Sequence, residues 1–179
     1  MIKDRIKLAE HFNDLGFKRG AEIGVADGRY AEILCQKIPG LHLTAVDPWI
    51  PYEGNWRSQD YQQKAYERAV ERLTPFKANI VRKTGIEASL DVPDKSLDFV
   101  FIDGNHYFDY IMEDIITWSR KVRKGGIVSG HDYYEFRSGG IIKAVDAYVE
   151  AHDIDLELTM HNPGGHQDDQ APCWFFVKE

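Results

Sequence analysis

Reactive and ligand-binding residue types gather in five short stretches of this chain, each following a run that reads as a β-strand. The first stretch is Glu22-Ile-Gly24-Val-Ala26-Asp-Gly28. Glycine at 24 lets a ligand approach bare backbone, and glycine at 28 lets the following helix pack close to the strand. The N–H groups that open this helix can hold a carboxylate. Ala26 stands where a dinucleotide turn has its middle glycine, so the spacing suits a ligand without a pyrophosphate. Asp47 ends the second run, placed either to accept both hydroxyls of a ribose or to cap the turn before Pro48. Trp49 beside it either stacks on a base or covers the sheet edge.

The third stretch is Thr84-Gly85-Ile86-Glu87, and the fourth supplies Asp103 and His106. His131 and Asp132 make the fifth. An imidazole with an ordinary pKa of ~6.5 suits proton abstraction near neutrality, which makes His106 a candidate base; a packed histidine at a helix start is the plainer alternative. Asp103 and Asp132 end neighbouring strands. Such oxygen ligands suit Mg²⁺, which would lower the pKa of an acceptor hydroxyl, or else the two carboxylates cap loops and shape the pocket. His131 is a second base or a structural residue, and residue type does not decide between them.

These stretches need strands to present them. Ile2, Ile6, Ala9, Phe12 and Leu15 recur at helical spacing, ending at Gly16. A strand over Gly20–Gly24 follows, then a helix from Tyr30 to Pro39-Gly40, and a strand over Leu41–Val46. Residues 49–78 read as an aromatic and charged insert near the substrate side, with Trp49, Tyr52, Trp56, Tyr61 and Tyr66 and a helical stretch from Gln62 to Leu73. Asn79–Lys83 and the apolar run Leu97–Ile102 are further strands, the latter buried on both faces. A helix carrying Tyr107, Ile111, Ile115, Trp118 and Val122 ends at Gly125-Gly126, before a strand over Ile127–Gly130. A helix over Ile141–Val149 and strands at Asp155–Thr159 and Cys173–Val177 complete the pattern. The class is α/β: a Rossmann-like seven-stranded sheet, mostly parallel with an antiparallel last strand, and helices on both faces. Residues 1–179 read as one domain, with 1–19 as an N-terminal helix.

Composition narrows the partners. A formal charge of −7 without a basic stripe opposes binding to a phosphate backbone, so a small molecule or sugar is the expected acceptor and nucleic acid is not. Cys35 and Cys173 lie apart on apolar segments and read as buried free thiols. The first residues lack the apolar core of a signal peptide, and no apolar run approaches the ~18 residues of a membrane span. A cytoplasmic protein is expected.

The segments AEIGVADGRYAEIL, VDPW and FIDGNHYFDYIMEDI resemble class I S-adenosylmethionine-dependent methyltransferases. The run VRKGGIVSGHDY followed by GIIKAVDAYV is similar to a bacterial subgroup with DGxH and GGHDY motifs, allied to macrocin and catechol-type O-methyltransferases. The resemblance covers residues from about 20 to 150. It implies that Glu22, Gly24 and Gly28 surround the amino-acid part of the cofactor and that Asp47 binds its ribose. Ile86 and Glu87 would border the adenine, although Glu87 is also a common acid at a helix start. Asp103 would lie below the methyl donor. The catechol type has Asn after its second Asp, where this chain has Tyr133, so a third metal ligand is not evident. The expected activity is methylation of a hydroxyl, in a pocket that a second copy of the chain would complete. The aromatic insert and the segment His161–His166 would wall the acceptor. A nicotinamide-dependent oxidoreductase would want the dinucleotide glycines, and a short-chain reductase Tyr-x-x-x-Lys; neither pattern appears. A non-catalytic cofactor-binding subunit is the remaining alternative.

Overall fold

The apolar run Leu97–Ile102, read as a strand buried on both faces, forms the middle of the sheet. A computed structural model describes residues 2–52, 57–135, 139–160 and 170–179. In it, β4 (Leu97–Ile102) sends Phe99 and Phe101 to one face and Val100 and Ile102 to the other. Around it stand β1 (Arg19–Ile23), β2 (His42–Val46), β3 (Asn79–Val81), β5 (Val122–Gly130), β6 (Glu157–Leu158) and β7 (Trp174–Val177). Their order is β3-β2-β1-β4-β5-β7-β6. The pairs among β1 to β5 are parallel, and β7 runs antiparallel to both β5 and β6. This is the expected seven-stranded sheet with one antiparallel strand.

Among the described residues, three α-helices cover each face. On one side α1 (Arg5–Asp14), α2 (Arg29–Lys37) and α3 (Gln59–Leu73) pack Leu8, Phe12, Leu34, Ala69 and Leu73 against Leu43, Phe99 and Phe101. On the other, α4 (Gly85–Ser89), α5 (Phe108–Ser119) and α6 (Ile141–Ala151) pack Ile111, Ile115, Trp118 and Val145 against Val100, Ile102 and Val128. Cys35 and Cys173 are buried free thiols.

Three segments depart from expectation. The first helix buries Arg5, Leu8, Ala9 and Phe12, while Leu15 is exposed; Leu8, not Ile6, sets the register, and Arg5 falls on the buried face. Gly125-Gly126 does not end a helix. α5 stops at Ser119, Val122 already belongs to β5, and the glycines lie where the β4–β5 register shifts. A Cβ on Gly126 would collide with the Asp98 carbonyl, so the pair makes room for a bulge inside the strand. The stretch read as an insert is largely the crossover helix between β2 and β3, with Ala65, Ala69 and Leu73 in the core. Trp56 and His161–His166 fall outside the described residues.

Candidate active site

The residues singled out by type line one edge of the sheet at one level, each tied to its neighbour just beyond a strand. Gly24 N–H donates to the Val46 carbonyl, Asp47 N–H to Val81, Asp103 N–H to Ile23 and His131 N–H to Ile102. The parallel ladder thus continues by one rung at four strand ends, and their side chains emerge together. The ligand-binding crevice of an open α/β sheet lies at these carboxyl ends, where the strand order reverses between β1 and β4.

On the β1–β3 side, most polar groups are held by backbone. Asp47 Oδ2 accepts from Ala26 N–H at 3.0 Å and Oδ1 from Trp49 N–H at 2.7 Å, and burial raises its pKa despite these bonds. The Val25 N–H also bears on this carboxylate, so of its four acceptor sites at least one is left for a hydroxyl. Trp49 is fully buried, donates its indole N–H to the Ala26 carbonyl at 2.7 Å and meets Tyr66 edge-on. It presents no open face, so the expected stacking on a base gives way to packing behind the loop. Both Ala26 and Trp49 adopt positive φ, a conformation costing about 1–2 kcal/mol that surrounding contacts must enforce.

Gly24 has φ +90°, and a Cβ there would collide with the Asp103 carbonyl, so its bareness serves the neighbouring strand end. Gly28 lies against α3, where a Cβ would come within 3.0 Å of Ala69 Cα. Glu87 closes a capping box, accepting from Thr84 N–H at 3.0 Å and Thr84 Oγ at 2.8 Å. Ile86 beside it is 40 % exposed and free to wall a ligand. Glu22 is the exception. It is buried, and its Oε2 finds no hydrogen-bond partner among the described residues. Burial, and then the Asp103 charge, push its pKa well up.

On the β4–β5 side the groups hold one another. His106 Nε2 lies 3.6 Å from Asp103 Oδ1 and 3.4 Å from Asp132 Oδ2. His131 Nδ1 lies 3.0 Å from Asp132 Oδ1 and 4.0 Å from Asp103 Oδ2. Burial alone would lower both imidazole pKa values, but the carboxylates override it and raise them. Asp103 is lowered in turn, the histidines outweighing its burial. Asp103, His131 and Asp132 offer ligand atoms all within 4.8 Å of one another, close enough for a single cation to reach all three. His131, which the sequence left undecided, thereby joins the two carboxylates.

Two residues escaped the sequence reading. Arg5 brings a buried cation whose charge bears on Glu22 and Asp103; its guanidinium lies 5.3 Å over the Tyr30 ring, and Tyr30 O–H donates to the Arg5 carbonyl. The other is Asp114, a buried acid on α5. Both interrupt apolar helical stripes, which is the signal that could have found them. A cavity of about 540 Å³ lined by Arg19, His42, Thr44 and Asn79 opens near the amino ends of β1–β3 and shares no residue with this site.

No described helix is long and apolar enough to cross a membrane. Among curated proteins the chain is similar to "Uncharacterized protein y4gI" of Sinorhizobium fredii, 27 % identical over 121 residues. It is also similar to "Uncharacterized protein R132" of Acanthamoeba polyphaga mimivirus, 24 % identical over 145 residues. The matches take in 64 % and 79 % of this chain but 13 % and 62 % of those proteins. Among solved structures, an O-methyltransferase from Bacillus cereus in complex with SAH superposes with a TM-score of 0.68 at 13 % identity, over 97 % of this chain and 80 % of that one. The O-methyltransferase TomG from Streptomyces achromogenes, in complex with SAM, gives 0.65 at 16 % identity, over 98 % and 78 %. An rRNA methylase from Streptococcus thermophilus gives 0.67 at 15 % identity, over 99 % and 98 %. The family model described as "Methyltransferase domain" matches residues 21–133, which span β1 to β5 and every strand-end residue above. The chain belongs to this methyltransferase domain family and has the fold of the class I S-adenosylmethionine-dependent enzymes.

Proposed function

We propose that this protein transfers a methyl group from S-adenosylmethionine to a hydroxyl of a small molecule or sugar, in a pocket completed by a second copy. One observation carries the reading: the His106 imidazole stands between two strand-end carboxylates at the crevice. The cofactor fits the residues beside it. The orphaned Glu22 Oε2 suits the ammonium of an amino acid, the acceptor capacity left on Asp47 suits a ribose hydroxyl, and Ile86 suits the adenine. Bound there, the sulfonium supplies a methyl group that is already activated.

The protein's task is then to position the acceptor oxygen and receive its proton. His106 receives it at Nε2, and Asp103 and Asp132 stabilise the resulting imidazolium. Their proximity makes His106 a stronger base than an ordinary imidazole. Asp103 and Asp132, with His131, would hold Mg²⁺ or a similar cation, which would lower the pKa of the acceptor hydroxyl. The likeness to an rRNA methylase makes RNA an acceptor to include in a screen, against which the net charge of −7 weighs.

Calorimetric titration with S-adenosylmethionine, S-adenosylhomocysteine, NAD and NADH, with and without Mg²⁺, tests the cofactor. Binding of the two sulfur ligands in the micromolar range, lost in Asp47→Ala, is the expected result. Tight nicotinamide binding with no response to either sulfur ligand would sink the proposal.

A further inference from the structure

With five residues, α4 is too short to cover the amino halves of β1, β2 and β3 on its face of the sheet. The cavity of about 540 Å³ lies there, a size that suits a small molecule. Strand alternation turns a row of polar side chains into its floor. Arg19 shares a face with Ala21 and Ile23, His42 and Thr44 share it with Val46, and Asn79 shares it with Val81. The parallel register sets Arg19 opposite His42 and Thr44 opposite Asn79. His42 and Thr44 stand two residues apart on β2, so the two pairs are about 7 Å apart along the sheet. Ala88, Val92, Pro93 and Leu97 give the groove apolar walls.

None of the four polar side chains has a hydrogen-bond or ion-pair partner among the described residues. Asp98 does not serve the Arg19 guanidinium. Its Oδ2 accepts from the backbone N–H groups of Lys18 and Arg19, and its Oδ1 from Arg123 Nε. The Lys18 ammonium donates to the Pro39 carbonyl, a neutral acceptor. Lys18, Arg19 and Arg123 thus gather around a single acid, a local positive surplus on a chain whose net charge is −7. Asp91 also lines the groove, and Lys83 pairs with it.

We propose that this groove binds a small organic carboxylate with an apolar body and a neutral polar group at its far end. The carboxylate meets Arg19 and His42, since the planar guanidinium fork matches its two oxygens. The Thr44 hydroxyl and the Asn79 amide each donate and accept, which suits an amide or hydroxyl on the ligand. Val92, Pro93 and Leu97 take the apolar body between them. The site shares no residue with the crevice and does not depend on the methyl-transfer reading.

The test is titration of the full chain with 4-carbamoylbenzoate, followed by NMR chemical shifts. Its carboxylate and amide stand para on an apolar ring, and it has no hydroxyl to act as a methyl acceptor. Wild type is expected to bind it at least about 10-fold more tightly than terephthalamide, which lacks the charge, and about threefold more tightly than benzoate, which lacks the amide. Arg19→Gln should abolish the first preference and Asn79→Ala the second, while His106→Ala leaves both unchanged. Both groove side chains are exposed, and if one variant fails in thermal unfolding the other decides. Equal affinities in wild type, or a preference that survives its own substitution, overturn the assignment. Loss of the probe in His106→Ala would place it in the crevice and overturn the assignment too.

Discussion

The two halves of the crevice use similar residues in opposite ways. At the ends of β2 and β3, Asp47 accepts from the backbone N–H groups of Trp49 beside it and of Ala26 in the turn after β1, and Glu87 accepts from the N–H and hydroxyl of Thr84 in its own loop. At the ends of β4 and β5, Asp103, His106, His131 and Asp132 face one another's side chains. Carboxylates bonded to backbone fix the course of the chain, and a ligand meets a shape already set. Carboxylates facing histidines hold protons and charge in balance, which an arriving hydroxyl or cation can tip. On the function proposed above, the first half positions and the second reacts.

The sharpest way to break this contrast is His106→Ala. Turnover of the first acceptor identified should fall about 10²- to 10⁴-fold, the range of a lost general base, while S-adenosylhomocysteine affinity stays unchanged. Equal losses in turnover and affinity would erase the division between the halves. Next comes Gly24→Ala, on the seam where β1 meets the Asp103 carbonyl. Positive φ and the steric clash together should cost roughly 2–5 kcal/mol in urea unfolding. A loss under about 1 kcal/mol would mean that the turn relaxes and the halves are less rigidly joined. Smallest is Glu87→Ala, expected to lower stability by about 0.5–2 kcal/mol through the lost capping box without changing cofactor affinity. Weakened binding would return Glu87 to the ligand.

Much of the positioning half was legible because it depends on chain-local chemistry. Glycine turns, an acid before Pro48 and the apolar run of β4 announce a strand-end site through spacing alone. Local patterning could not show what each group touches. Trp49 looked like an aromatic beside a ligand, and only the fold places Ala26 over its indole N–H. Glu87 looked equally fit for adenine or for a cap, and the rotamer that returns to Thr84 belongs to the three-dimensional structure. His131 was ambiguous because its neighbour in space, Asp103, lies 28 residues away in sequence. The Gly125-Gly126 pair misled because glycines that stop a helix and glycines that bulge a strand are alike in one dimension.

Arg5 gives the fold a consequence for protein engineering. The family match begins at residue 21, so a boundary drawn from it would discard α1. A fragment cut there would retain the glycine turn, Asp47 and the histidine–aspartate cluster. It would lose the buried guanidinium that offsets Glu22 and Asp103, together with the carbonyl that anchors Tyr30. The part of the molecule that marks its kinship is therefore smaller than the part that balances its charge. Grafting these strand ends onto another scaffold would require a cation brought in from behind the first strand.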